Sequence, residues 1–143
     1  MSQELQQFHA QLVKTTIDIE KHTTWLGDPS CGAVLVFCGN VRQQNRDQIV
    51  TKIDYQAYET MALSELTAVA RSLVEAGATK ALAVHRLGLL EVGETSILLG
   101  VSLPHRKEGF RLLEKGMEQI KQMVPIWKHE HYQAGNPRWI EGS

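Results

Sequence analysis

Two stretches of this chain carry their apolar residues at helical spacing, and short β-rich apolar runs surround both. The first covers Glu59 to Ala76, with Leu63, Leu66, Ala70, Leu73 and Val74 along one side and Gly77 as a natural stop. The second opens at Pro104, carries Phe110, Leu113, Met117, Ile120 and Val124, and ends at Pro125. Between and around them, Gly32 to Gly39 reads as a buried strand, because it is continuously apolar and β-rich. Ile49 to Tyr58, Thr79 to Leu87, Thr95 to Leu103 and Ile126 to Tyr132 read as further strands, and Leu12 to Ile17 as an early one. Asp18 is placed to cap a short helix holding Ile19, Trp25 and Leu26.

The remaining segments punctuate these elements. Gly27 to Ser30 and Ala134 to Pro137 are turns, Asn40 to Gln48 is a polar, amide-rich loop, and Gly88 and Gly93 bracket a connection. Residues 1–8 are expected to fray. The expectation is a single domain over residues 1–143, of α/β (α+β) class, with two long helices alternating with four or five strands. The order β-α-β-β-α-β from Ile49 to Tyr132 points to a split β-α-β layout.

Charge narrows the function. Lys and Arg number 15 against 16 Asp and Glu, so the net charge is −1. A general nucleic-acid or membrane-surface role would show a basic excess, so any anion site must be a local cluster of cations. Cys31 and Cys38 form no Cys-x-x-Cys pair and no disulfide framework. Met1 to Glu20 lacks an apolar signal core, and the longest apolar run, Ala33 to Cys38, is too short to span a bilayer. A reducing, cytoplasmic setting is expected.

Several cations sit where chemistry tends to collect. On a helical projection Arg106 falls in the middle of the second helix's apolar face, and Lys121 lies on the margin of that face, one turn after Met117. A lysine held partly away from water has its charged form disfavoured and becomes a better base; the plain alternative is snorkelling to solvent. His105 and Arg106 lead into a helix N-terminus, where free amides and two cationic donors suit a phosphate; the alternative is a solvated first turn. Arg42, Arg86, Lys128 and Arg138 all lie at element ends, although each alone reads as an ordinary surface charge. His129 and His131 would share a strand face and, with His85 or His105, offer a zinc reading, but no metal motif of known spacing is present. Cys38 reads as a small buried hydrophobe.

Taken in order, these pieces form a pattern. Gly32-Ala33-Val34 through Gly39-Asn40-Val41-Arg42, Tyr58-Glu59 with Met61, His85-Arg86-Leu87-Gly88, Gly93-Glu94, Ser102 with His105-Arg106, Phe110, Lys121, Pro125-Ile126-Trp127-Lys128 and Arg138-Trp139 together resemble the large, catalytic subunit of the molybdopterin synthase family. The resemblance covers about residues 10 to 142. It implies a hammerhead-like domain, two long helices packed on a mixed sheet, plus a small antiparallel subdomain. It implies a sulfurtransferase of molybdenum cofactor biosynthesis that converts cyclic pyranopterin monophosphate (precursor Z) to the molybdopterin dithiolene. The sulfur donor would be the C-terminal Gly-Gly thiocarboxylate of a small ubiquitin-like carrier subunit. The assembly would be a heterotetramer around a homodimer of this chain, with no metal and no other cofactor.

The residues that the resemblance singles out are Lys121 and Lys128 as catalytic groups, with Arg42, His105, Arg106, Met117 and Lys128 binding substrate. The family often continues past the Trp139 region with a basic tail, which this chain, ending at Ser143, does not match. Two other functions would use the same residues differently. A non-catalytic anion- or pterin-binding module would use the cation cluster without turnover, and a histidine-based metal hydrolase would need stoichiometric zinc.

Overall fold

The computed structural model describes residues 6–142. In chain order the elements are β1 (Phe8–Val13), α1 (Ile19–Leu26), β2 (Ala33–Asn40), β3 (Gln44–Asn45), β4 (Gln48–Ala57), α2 (Glu59–Glu75), β5 (Lys80–Arg86), β6 (Gly88–Glu91), β7 (Thr95–Leu103), α3 (Gly109–Met123), β8 (Ile126–Tyr132) and β9 (Arg138–Glu141).

The strands form two sheets. The first runs β1-β5-β7-β2 and is mixed: β1 is parallel to β5, while β5-β7 and β7-β2 are antiparallel. The second runs β3-β4-β8-β9, all antiparallel, with β6 also joined to β4. Helices α2 and α3 pack together on one face of the first sheet, and α1 covers the other. Leu66, Leu73, Leu99 and Ile120 fill the first interface; Ile17, Leu26, Leu82, Val84 and Leu98 fill the second. The hammerhead-like fold with a small antiparallel subdomain is therefore what the chain adopts.

Local chemistry accounts for the ends of the helices. The Asp18 side chain accepts from the Lys21 amide and starts α1, as its sequence position predicts. Gly77, at φ 128°, stops α2 in a conformation that costs a glycine little.

Several expectations need correction. β1 begins at Phe8 rather than Leu12, and Gln7 is held in place by its side-chain bond to the Thr79 carbonyl and by the Ala81 amide donating to its carbonyl. The fraying predicted for residues 1–8 thus fails at Gln7 and Phe8, and residues 1–5 lie outside the described residues. The Gly88–Gly93 connection contains β6, and the amide-rich loop contains β3. β9 lies beyond the last strand that the sequence predicts. The split β-α-β layout fails because β4 and β8 leave the first sheet and pair with each other, Ala57 opposite Ile126.

The largest correction concerns β2, which among the described residues pairs only with β7 and so is an edge strand. Val34, Val36 and Phe37 are about two-fifths exposed rather than buried. A continuous apolar run signals apolar surroundings, and says nothing of which neighbour supplies them.

Candidate functional site

The second sheet stands at the end of the α2/α3 pair because β4 runs directly into α2 and α3 runs directly into β8. Tyr58 and Pro125 mark the two junctions, and the Tyr58 amide donates to the Pro125 carbonyl at 3.3 Å. This arrangement brings the last turn of α3, with Lys121, close to the start of β8, with Lys128. Lys121 also sits where a helix C-terminus favours a cation.

Arg42 reaches the same place along a different route. It follows β2, and its neighbour Val41 is buried and exchanges backbone hydrogen bonds with the Gly93–Glu94 turn: Val41 N–H to Glu94 O at 2.9 Å, and Gly93 N–H to Val41 O at 2.8 Å. The Glu94 carboxylate ties that turn by accepting from the Glu91 amide at 2.9 Å and from the Arg86 guanidinium at 3.1 Å. Arg86, a candidate cation in the sequence, is therefore committed to holding the turn that holds Arg42.

Lys128 lies opposite Tyr55 on β4 and opposite Ile140 on β9, and it is half-buried. Burial is the main force drawing its ammonium below the usual lysine range. Glu130 opposes that shift, and the positive charges of Lys121 and Arg42 add to it. Glu130, two residues further on the same face of β8, is buried and accepts hydrogen bonds from Asn45 Nδ2 at 2.8 Å and from the Tyr132 hydroxyl at 2.9 Å. Lys128 is thus a lysine whose ammonium is disfavoured by burial and by the nearby charges of Lys121 and Arg42, with Glu130 acting against them.

Three cavities open around this cluster. One of about 120 Å³ is bordered by Arg42, Asn45, Tyr55, Lys128 and Glu130. A second, of about 480 Å³, shares Asn45 and Lys128 and adds Arg46 and Arg138. A third, of about 520 Å³, is an apolar groove along α3 and β2, lined by Val36, Phe37, Phe110, Leu113, Met117 and Lys121. The sequence-predicted Arg42, Met117, Lys121 and Lys128 therefore gather at one end of the molecule.

His105 and Arg106 do not join them. The helix expected to open at Pro104 starts at Gly109, so both residues lie in the turn before it, exposed, at the opposite end of α3. α3 has 15 residues, which puts them about 22 Å along the helix from its last turn. Arg106 is accordingly not on the packing face of the helix.

The histidines do not assemble a metal centre. His129 and His131 share a face as strand geometry requires, with ring centroids 4.6 Å apart. His129 stacks on Trp139, however, and His85 is buried against Tyr55. Among the described residues no group of three His, Cys, Asp or Glu is placed to hold a metal ion. Cys38 is half-buried rather than buried, and burial pushes its thiol up.

Glu130, Asn45 and Arg46 were not singled out from sequence. The available signal was the alternation along β8. Ile126, Lys128, Glu130 and Tyr132 form one face and the histidines the other, so the alternation places Glu130 beside the already predicted Lys128.

Comparisons with known proteins agree with this arrangement. The family model described as MoaE protein matches residues 12–123. A molybdopterin synthase catalytic subunit from Bacillus subtilis is 36% identical over 132 residues, covering 91% of this chain and 83% of that protein. One from Drosophila willistoni is 37% identical over 136 residues, 93% of this chain; the chain spans only 37% of that longer protein. Among solved structures, molybdopterin synthase from Staphylococcus aureus superposes with a TM-score of 0.84 at 34% identity, over 90% of this chain and 94% of the other.

Proposed function

The chain belongs to the MoaE family of molybdopterin synthase catalytic subunits, and from that premise we propose that it inserts the dithiolene sulfurs of molybdopterin. The substrate is cyclic pyranopterin monophosphate, precursor Z. The donor is the C-terminal Gly-Gly thiocarboxylate of a small ubiquitin-like subunit; the name "catalytic subunit" carried by the relatives is consistent with a second, separate subunit.

The observation that carries this reading is the half-buried Lys128 beside Lys121 and Arg42. Sulfur transfer from a thiocarboxylate passes through an acyl-type centre that develops negative charge on oxygen and needs proton traffic. Lys128, with its ammonium destabilised by burial, is suited to give up and regain a proton. Lys121, exposed at the end of α3, is suited to act as a fixed positive charge near the acyl oxygen. Arg42 supplies a guanidinium fork to the phosphate or pyran side of the pterin, and Met117 gives the pocket an apolar wall.

His105 and Arg106 enter the site through a second copy of the chain. Val34 and Val36 on the α1 side of β2, with Phe37 and Phe110 on the α3 side, leave an exposed apolar patch that wraps the free edge of the first sheet. A two-fold axis through this patch, with the β2 strands of the two copies antiparallel, sets the Ala33 end of one copy beside the Asn40 end of the other. His105 and Arg106 lie near the Ala33 end, since Ala33 pairs with Leu103, and Arg42 follows the Asn40 end. Each site would then draw its phosphate ligands from both chains, in a heterotetramer with one small subunit per site. None of the described helices is long and apolar enough to cross a membrane, and a cytoplasmic setting is part of the proposal.

The test is reconstituted turnover. Wild-type protein, thiocarboxylated small subunit and precursor Z should yield molybdopterin, detected as its fluorescent oxidised derivative. Lys121→Ala should abolish product while leaving dimerisation unchanged. A folded wild-type complex that makes no product would leave a pterin-binding module as the better account.

A further inference from the structure

Resting on that reading, the chemistry brings two anions to one lysine: a phosphorylated pterin and a thiocarboxylate. They repel one another, and one set of cations cannot neutralise both without placing them in the same spot. The structure holds a second set. The cavity of about 480 Å³, which Lys128 lines but Arg42 does not, is bordered by Arg46 and Arg138, with Glu141 as its one carboxylate. Three cations therefore face one acid. Among the described residues neither guanidinium takes part in an ion pair or a side-chain hydrogen bond.

Two further observations mark this as a built feature. Arg138 lies opposite Glu130 in the β8-β9 ladder, so it shares the face of the sheet that carries Lys128. Arg46 sits in the two-residue turn between β3 and β4, where Asn45 pairs with Gln48, and its φ is 59°. Glycine is the residue that adopts this conformation at low cost; an arginine here costs about 1 kcal/mol or more. The turn is also tied to the site, because Asn45 donates to Glu130. Strain of this kind at the rim of a cavity fits a side chain held for a ligand.

We propose that Arg46 and Arg138 form a carboxylate subsite that receives the C-terminal group of the donor subunit's extended tail and delivers it to Lys128. A guanidinium fork matches a carboxylate or thiocarboxylate in two-point contact. Gln48, on the same wall, leaves its side-chain oxygen without a hydrogen-bond partner, an acceptor that a peptide N–H can fill and a phosphate cannot. Among the described residues the β9 edge beside the cavity pairs only with β8, which leaves its outer backbone groups to run alongside an extended peptide. Arg42 and the partner copy's end of the site are left for the phosphate.

The experiment measures affinity and turnover with two forms of the small subunit, one ending in its ordinary carboxylate and one whose terminus is a neutral amide. Wild type should bind the carboxylate form more tightly. Arg46→Gln and Arg138→Gln should each weaken that form by roughly 10- to 100-fold while leaving the amide form almost unchanged. The KM for precursor Z should not move. Both arginines are exposed, and circular dichroism of each variant checks the fold; Arg46→Gly, which relieves the turn while removing the charge, should lose affinity as Arg46→Gln does. Equal losses for both tail forms would overturn the subsite. So would a raised KM for precursor Z with tail affinity intact, which would make this the phosphate site. If wild type gives no molybdopterin at all, the synthase reading fails instead, and the carboxylate-against-amide comparison still decides the subsite.

Discussion

Asn45 and Glu130, 85 positions apart in the chain, are joined by a hydrogen bond of 2.8 Å that fastens the β3-β4 turn to the strand carrying Lys128. Glu130 is buried with its charge satisfied by Asn45 and by the Tyr132 hydroxyl. It makes no ion pair with Lys128, yet it is the one neighbouring charge that favours the Lys128 ammonium against burial, Lys121 and Arg42. A buried carboxylate placed this way sets how readily the lysine holds its proton.

Glu130→Gln keeps an acceptor for Asn45 and Tyr132 and removes only the charge. With its one opposing influence gone, the Lys128 pKa falls further. If protonated Lys128 is needed for turnover, the alkaline limb of the kcat profile moves to lower pH, and activity at a fixed pH above that limb drops. A pH-rate profile of the variant decides this. An unmoved limb would remove Lys128 from the proton-transfer role, or Glu130 from its control.

His85 predicts a separate pH effect, on stability. It is fully buried, its Nδ1 bonds the Arg86 carbonyl at 2.8 Å, and burial pushes its pKa down to about 4 from an ordinary 6.5. The folded protein therefore keeps this imidazole neutral where the unfolded chain would protonate it. The associated stability is fully present above pH 6.5 and is lost as pH falls from there through about 4, a change on the order of 3 kcal/mol. Denaturant titrations at several pH values should show this slope in wild type and a flatter one in His85→Phe. Equal slopes would assign acid sensitivity to other groups.

Much of the fold was legible because it is written in periodicity. The stripe ending at Val74 and the stripe from Phe110 to Val124 gave both long helices, and the apolar runs gave β5, β7 and β8 within a residue or two at each end. What escaped depends on contacts distant in sequence. β6 has four residues and exists because β4 offers it an edge, and β9 exists because β8 does. The exposure of Val36 and Phe37 was hidden for the same reason. The site divides along the same line. Arg42 and Lys128 were marked by their positions at element ends and Lys121 by its place on the margin of a helix's apolar face, whereas Glu130 and Arg46 matter only through Asn45 and the cavity that it braces.

Gly116 tests the seam between α2, α3 and the first sheet. A Cβ built there would sit 2.9 Å from Leu99 Cδ2 and 3.0 Å from Leu73 Cδ1. Alanine gains about 1 kcal/mol of helix propensity over glycine, and overpacking costs about 1–3 kcal/mol. Leu73 and Leu99 are both fully buried, so neither has room to yield, and the cost should win. Gly116→Ala should lower Tm by a few degrees, for a net loss of about 1 kcal/mol. An unchanged or raised Tm in differential scanning calorimetry would show that the two leucines repack freely.

The proposed two-chain site makes the strongest prediction, because it separates folding from assembly. Val36 and Phe37 are exposed in the single chain, so Val36→Asp should leave the fold intact. An acid in the middle of the apolar patch should convert the dimer to a monomer in sedimentation velocity and abolish turnover. Lys121→Ala and Arg106→Ala should each be inactive as homodimers. If Arg106 serves the partner's Lys121, a mixed dimer places both substitutions in one site and leaves the other site intact, so subunit exchange between the two variants should restore part of the activity. Mixed dimers that form, as tracked by differently tagged chains, and yet stay inactive would mean that Arg106 acts in no such shared site. A Val36→Asp variant that still dimerises would place the interface elsewhere on the surface.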